Sequence, residues 1–125
     1  MKVILETGEL PDLATVEVAA RLAIDAGADF IKTSTGKSKV SATLPAAETM
    51  LRVIADTDRP VGIKPSGGIS TAEDAAAYIT LAERIMGQGW VSPRTFRFGA
   101  SGLLTALIEA SGSEPDVATS APTSY

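Results

Sequence analysis

The chain has no cysteine and no histidine in its 125 residues. The first absence excludes a disulfide framework, a thiolate nucleophile and every cysteine-bearing zinc site. The second excludes His-based triads, imidazole acid–base chemistry and the common transition-metal constellations. Chemistry must therefore come from Lys, Asp, Glu, Tyr, Ser, Thr or backbone amides, and neither a metal nor a cofactor is expected. Long apolar runs are missing too. Val3-Ile4-Leu5 ends at Glu6, too short for a signal peptide, and no stretch approaches a membrane span. Nor is there a basic surplus. With 11 Lys and Arg against 15 Asp and Glu the net charge is −4, which disfavours nonspecific nucleic-acid binding. The expected setting is the cytoplasm, with no membrane or nucleic-acid partner.

What is present reads as one soluble globular domain, with 45% hydrophobic and 21% charged residues. Two periods alternate along it. Short runs with apolar or β-branched centres predict strands at Lys2–Glu6, Ala28–Lys32, Pro60–Lys64 and Thr95–Gly99. Between them lie helical patterns. Asp12–Ala26 carries Leu13, Val16, Ala20, Ala23 and Ile24 on one face, with Gly27 as its stop. Leu44–Ala55 has Pro45 near its start and Met50, Leu51 and Ile54 on one stripe. Ser70-Thr71-Ala72-Glu73 predicts a capping box opening a helix that runs to Met86, before Gly87. A last helix is expected over about Gly102–Ala110. The strand starts are spaced by one βα unit each, so the expected fold is α/β with four consecutive βα units and parallel strands. After Gly112 the pattern stops, and Ser113–Tyr125 is expected to be a mobile tail.

In parallel α/β folds ligands bind at the carboxyl ends of strands, and two of these strands end in lysine. Phe30-Ile31-Lys32 and Gly62-Ile63-Lys64 place ammonium groups at equivalent points of consecutive strands. Adjacent strands lie about 4.8 Å apart, so the two cations should depress each other's pKa and leave one amine free for carbonyl attack. Around them, Ser66-Gly67-Gly68-Ile69 and Gly99-Ala100-Ser101-Gly102 lead from strands into helices, the arrangement in which backbone amides cradle a phosphate. Thr33-Ser34-Thr35-Gly36-Lys37 adds hydroxyls and a third cation at the same mouth, with Lys39 more simply a solvated charge. Glu6 faces this mouth as well, either orienting water or a lysine, or serving as counter-ion of Lys32. Trp90 is expected to pack under the loop of Gly87 and Gly89, and Arg97 to pair with an acid.

Four segments carry a resemblance. They are Glu6-Thr7-Gly8-Glu9-Leu10, Gly27–Gly36 (GADFIKTSTG), Gly62–Gly68 (GIKPSGG) and Arg97-Phe98-Gly99-Ala100-Ser101. In order and spacing they resemble deoxyribose-phosphate aldolase, over nearly all of residues 2–112. That resemblance implies a metal-free class I aldolase on a TIM barrel, cleaving 2-deoxyribose 5-phosphate to acetaldehyde and glyceraldehyde 3-phosphate. It further implies that Lys32 forms the Schiff base and that Lys64 lowers its pKa. Phosphate contacts are implied from Gly36, Lys37, Gly67, Gly68, Gly99 and Ser101, with Thr33 beside them. Some members end in a tail whose final tyrosine transfers protons, which points to Tyr125.

A TIM barrel needs eight βα units and roughly 250 residues, twice what is here. By the resemblance, residues 1–112 are strands five to eight, the C-terminal half-barrel, followed by the tail 113–125. The family's catalytic aspartate has no counterpart in this chain. An open half-barrel would expose an apolar sheet face and two strand edges, so either homo-oligomerisation or pairing with the missing half is expected. The alternatives to an aldolase are a sugar-phosphate-binding half-barrel without turnover and a purely structural, oligomerising one.

Overall fold

The computed structural model describes residues 1–35 and 40–99. Gly36, Lys37, Lys39, Ser101 and Tyr125, the expected helix at 102–110 and the tail at 113–125 lie outside them.

Each helix opens on a side-chain oxygen that its sequence supplies. Asp12 accepts from the Thr15 amide at 2.8 Å and starts α1 (Leu13–Asp25). Thr43 accepts from the Ala46 amide at 3.2 Å and starts α2 (Leu44–Ala55), with Pro45 in the first turn where it costs no hydrogen bond. Thr71 accepts from the Asp74 amide at 3.0 Å and starts α3 (Ala72–Met86). The capping box therefore stands one residue later than the sequence pattern predicts. Asp74, not Glu73, turns back to take the Ser70 and Thr71 amides, both at 3.3 Å, which leaves Ser70 outside the box. These bonds hold the Asp74 carboxyl below its ordinary pKa.

Three parallel strands, β1 (Lys2–Ile4), β2 (Phe30–Lys32) and β3 (Gly62–Lys64), form a sheet in the order β1-β2-β3. They are shorter than the runs predicted for them. Backbone pairing nevertheless continues past them, from the Leu5 amide to Lys32 O and from the Thr7 amide to Thr33 O. Where a fourth strand was expected, Phe96 and Gly99 make isolated parallel bridges to Ile63 and Ser66. The described residues thus contain three βα units.

Alternation along the strands gives the sheet two faces. Ile31 and Ile63 point to the helices and are fully buried, together with Val16, Ala20 and Ile24 of α1 and Met50, Leu51 and Ile54 of α2. Leu13 does not join them. As the first helical residue it lies in the exposed run Pro11–Ala14 and is 47% exposed. The C-terminus of α1 is capped from afar, by Arg59 donating to the carbonyls of Ile24 and Ala28. Trp90 is partly buried and packs against the core. Among the described residues no helix is long and apolar enough to cross a membrane.

The position of the capping box is testable. Thr71→Ala should cost about 1 kcal/mol in a denaturant titration, whereas Ser70→Ala should cost only a few tenths.

Candidate active site

The other sheet face carries the ionisable groups. In register, Lys2 pairs with Phe30 and Phe30 with Gly62, while Ile4 pairs with Lys32 and Lys32 with Lys64. Lys2, Lys32 and Lys64 therefore share the face turned away from the helices. Lys32 is fully buried and Lys64 is 3% exposed, an unusual state for lysine. The juxtaposition of Lys32 and Lys64 read from the sequence is present.

The cause of their altered basicity differs from the expected one. Burial is the largest influence lowering the Lys32 amine, followed by the charge of Lys2, with Glu6 opposing. Lys64 is pulled down to about 8, again chiefly by burial, then by its neighbour Lys2 and by the charges of Lys32 and Arg97. Desolvation of the charged form is thus the leading effect, and Lys64 is not the main cause at Lys32.

Beneath the lysines lies a stacked layer that the sequence did not announce. The Phe30 ring crosses the bare α-carbon of Gly62, where an added methyl group would stand 2.5 Å from the ring and 2.8 Å from Thr95 O. Arg97 lies over the same ring, with its guanidinium carbon 4.3 Å from the centroid, and donates Nε to Pro93 O at 3.2 Å. Instead of an acid, Arg97 has an aromatic face and a carbonyl as its partners.

The strand ends are tied together by hydroxyls. Thr33 and Ser34 are fully buried. The Ser66 amide donates to Thr33 Oγ1 at 2.9 Å, and Ser34 Oγ donates to Ser66 O at 2.6 Å. The Thr33 hydroxyl, a candidate ligand group, is thus engaged in joining the β2 and β3 loops. Gly67 and Gly68 both adopt positive φ, 85° and 74°, a conformation that explains the glycine pair. The Gly67 amide donates to Gly99 O and the Gly99 amide to Pro65 O. Gly68 is exposed at this mouth.

Glu6 braces the loop after β2. Its carboxylate accepts from the Thr35 amide at 3.1 Å and from Thr35 Oγ1 at 2.8 Å. Glu6 also holds φ 56°, the one positive φ outside glycine among the described residues. Sequence reasoning placed Glu6 at the mouth but missed Thr35 as its partner. It also missed Lys2, although Lys2 shares strand parity with the two strand-end lysines.

Two outcomes follow from this geometry. Gly62→Ala must displace Phe30 or the Thr95 backbone, and should destabilise the chain by about 1–3 kcal/mol in chemical denaturation. The second concerns pH. An unfolded Lys64 binds its proton up to about pH 10.5, the folded one only to about 8, so the unfolded state holds the extra proton between these values. Stability should therefore rise as pH rises from 8 to 10. Above that, Tyr78, whose burial pushes it to about 12, acts in the opposite direction. Thermal unfolding should show the rise, and Lys64→Met should flatten it.

The chain's likeness to known proteins fits this site. The profile described as "DeoC/LacD family aldolase" matches residues 1–101. The chain is 56% identical over 121 residues to deoxyribose-phosphate aldolase of Agrobacterium fabrum (strain C58 / ATCC 33970), covering 96% of this chain and 47% of that protein. A solved structure of a candidate deoxyribose-phosphate aldolase from Toxoplasma gondii ME49 superposes with a TM-score of 0.81 at 25% identity, over 94% of this chain and 48% of the other. Deoxyribose phosphate aldolase from Aeropyrum pernix, titled for its unique tetrameric structure, shares the fold at 23% identity and a TM-score of 0.64, over 90% and 41% of the two chains. The chain thus spans about half the length of these relatives. Sequence, fold and the paired buried lysines agree, and the chain belongs to the DeoC/LacD family of aldolases.

Proposed function

We propose that this chain is the lysine-bearing half of a class I aldolase acting on 2-deoxyribose 5-phosphate. The observation that carries the reading is the register pairing of Lys32 with Lys64, both buried, on adjacent parallel strands. Burial holds the Lys32 amine below the ordinary lysine range, which raises the fraction able to enter carbonyl chemistry at neutral pH. In this reading Lys32 adds to the aldehyde carbon of the open-chain sugar and loses water to give the imine. The positive imine nitrogen then accepts the electron pair released when the carbon–carbon bond breaks. Lys64 is the neighbouring proton acceptor. Phosphate sits at the mouth by Gly68, with Gly67 and Gly99 shaping that loop, and with Gly36, Lys37 and Ser101 in the same role. Tyr125 is the tail's proton-transfer group.

The same reading makes the three described βα units part of a half-barrel of four, which residues beyond Phe96 complete. Closure needs more βα units beside β1. Leu13, Val18 and Leu22 on α1 are 47–64% exposed and Ile4, on the inward face of β1, is 42% exposed, and this apolar exposure supports docking beside β1. The relay aspartate belongs to the closing half, so this chain alone should form the imine and turn over poorly.

Borohydride reduction in the presence of acetaldehyde tests the reading. An ethyl adduct should appear on Lys32 and vanish in Lys32→Met. Retro-aldol turnover should lie about 10²–10⁴-fold below that reached once a chain carrying the other half is added. Thermal stabilisation by glyceraldehyde 3-phosphate with no adduct would favour a binding protein instead.

A further inference from the structure

Thr33, Ser34 and Ser66 place three fully buried hydroxyls at the strand ends, none of them used by the proposed chemistry. We propose that Thr33 and Ser34 are positioning residues of the phosphate mouth, which clamp the Ser66 backbone and so preset the Gly67–Gly68 turn. The consequence for phosphate rests on the proposed function; the clamp itself does not.

The hydrogen-bond geometry carries the proposal. Polar groups buried this deeply must be satisfied inside the protein. The Ser66 amide donates to Thr33 Oγ1 at 2.9 Å, and Ser34 Oγ donates to Ser66 O at 2.6 Å. The two hydroxyl oxygens stand 3.1 Å apart. Because the Ser34 proton is committed to the Ser66 carbonyl, Thr33 is the donor between them. Thr33 Oγ1 also lies 3.3 Å from Ser66 O, so by either route its proton leads back to the same residue. The circuit leaves Ser66 at its N–H and passes through two hydroxyls, each accepting one proton and donating one. It returns to Ser66 at its C=O. Bonds linked in this way polarise one another where bulk water is excluded. The Ala42 amide adds a further donor to the Ser66 carbonyl at 3.0 Å.

What the circuit holds is the entrance to a turn made of two permissive residues. Pro65, on one side, is fully buried and has its φ fixed by its ring. On the other side Gly67 and Gly68 take positive φ, and the Gly67 amide reaches Gly99 O at 3.1 Å. An added methyl group at Gly68 would meet nothing within 4 Å, so conformation rather than lack of room calls for glycine there. Two unclamped glycines would sample many backbone shapes, and an anion would have to order them on binding. Holding Ser66 at both of its backbone groups lowers that cost beforehand. Thr33 then serves the phosphate without touching it, in keeping with its complete burial.

The experiment is an NMR titration of the full chain with inorganic phosphate, read at the Gly68 amide. The variants are Ser34→Ala, Thr33→Val, the two combined, and Thr33→Ser. Phosphate affinity should fall about fivefold or more in each of the first two. Thr33→Ser keeps the hydroxyl and should stay within about twofold of the parent, while the double variant should lose no more than either single, because one break opens the circuit. Acetaldehyde trapping on Lys32 in Ser34→Ala should also stay within about twofold, a split that general destabilisation would not produce. Slow amide exchange at Ile31 and Ile63 shows that a variant is folded. Affinity lost in Thr33→Val but kept in Ser34→Ala would make Thr33 a direct ligand and overturn the proposal. Additive losses in the double variant would do the same. So would rapid exchange of the Ser34 hydroxyl proton in the parent, a measurement that needs no variant to fold. If phosphate leaves the parent's Gly68 unmoved, the phosphate reading fails. The clamp then stands or falls with the Gly67 amide, whose exchange should speed about fivefold or more in Ser34→Ala.

Discussion

The register between β2 and β3 determines what the site can be, because side chains alternate between the two faces of a strand. Phe30 meets Gly62, Ile31 meets Ile63 and Lys32 meets Lys64. A slip of one residue would send Lys32 toward the helices and bring Ile31 onto the inward face. The hydrophobic effect holds the register on the helix side, through the fully buried isoleucines. On the inward side shape does so, since only a glycine at position 62 accommodates the Phe30 ring. The lysines contribute little to this specification. Their burial disfavours their charged forms, so the apolar face must supply the stability that brings them together.

The same logic explains which parts of the fold were legible in the sequence. Helices announced themselves through the 3.6-residue stripes of Val16, Ala20 and Ile24 and of Met50, Leu51 and Ile54, and these are core residues. Leu13 fits the stripe by spacing but sits on an exposed first turn, because periodicity says nothing about how far the sheet extends beneath a helix. The capping box was read one residue early since Ser70 and Thr71 are both competent caps, and only the reach of Asp74 decides between them. Strand ends were overestimated. Single amide bonds from Leu5 and Thr7 continue the pairing past β1 although Glu6 already turns left-handed, so composition looks strand-like where the regular ladder has ended.

The juxtaposition of Lys32 and Lys64 was legible because motif and strand position coincide, whereas contacts that depend on pairing across the sheet were not. Lys2 looks like an ordinary polar residue opening a strand, and its importance comes from parity with lysines far away in sequence. Arg97 suggested an acidic partner because its charge is visible in sequence, whereas the aromatic face it uses is a product of the Phe30–Gly62 pairing. Glu6 shows a further limit. A left-handed conformation costs a non-glycine residue on the order of 1 kcal/mol, and no local pattern announces it. Here it accompanies two hydrogen bonds to Thr35, which fix the start of the loop after Lys32.

Charge and apolar exposure together constrain how the proposed barrel could close. The inward face of this chain carries Lys2, Lys32, Lys64 and Arg97 against Glu6, the one acid acting on them among the described residues. Two copies brought face to face would place eight cations around one small interior, and like charges in a desolvated site repel strongly. Yet Leu13, Val18 and Leu22 on α1 and Ile4 on the inward face of β1 are exposed, which favours burial against another surface. A closing half that buries these residues and brings carboxylates to the interior satisfies both demands, whereas a second copy satisfies only the first. An added half would also change the lysine chemistry itself. Carboxylates near Lys32 and Lys64 favour their charged forms, so part of the depression caused by burial would be reversed. The fraction of these lysines present as amines is therefore set by a balance, with desolvation and Lys2 on one side and Glu6 and any acids of the closing half on the other.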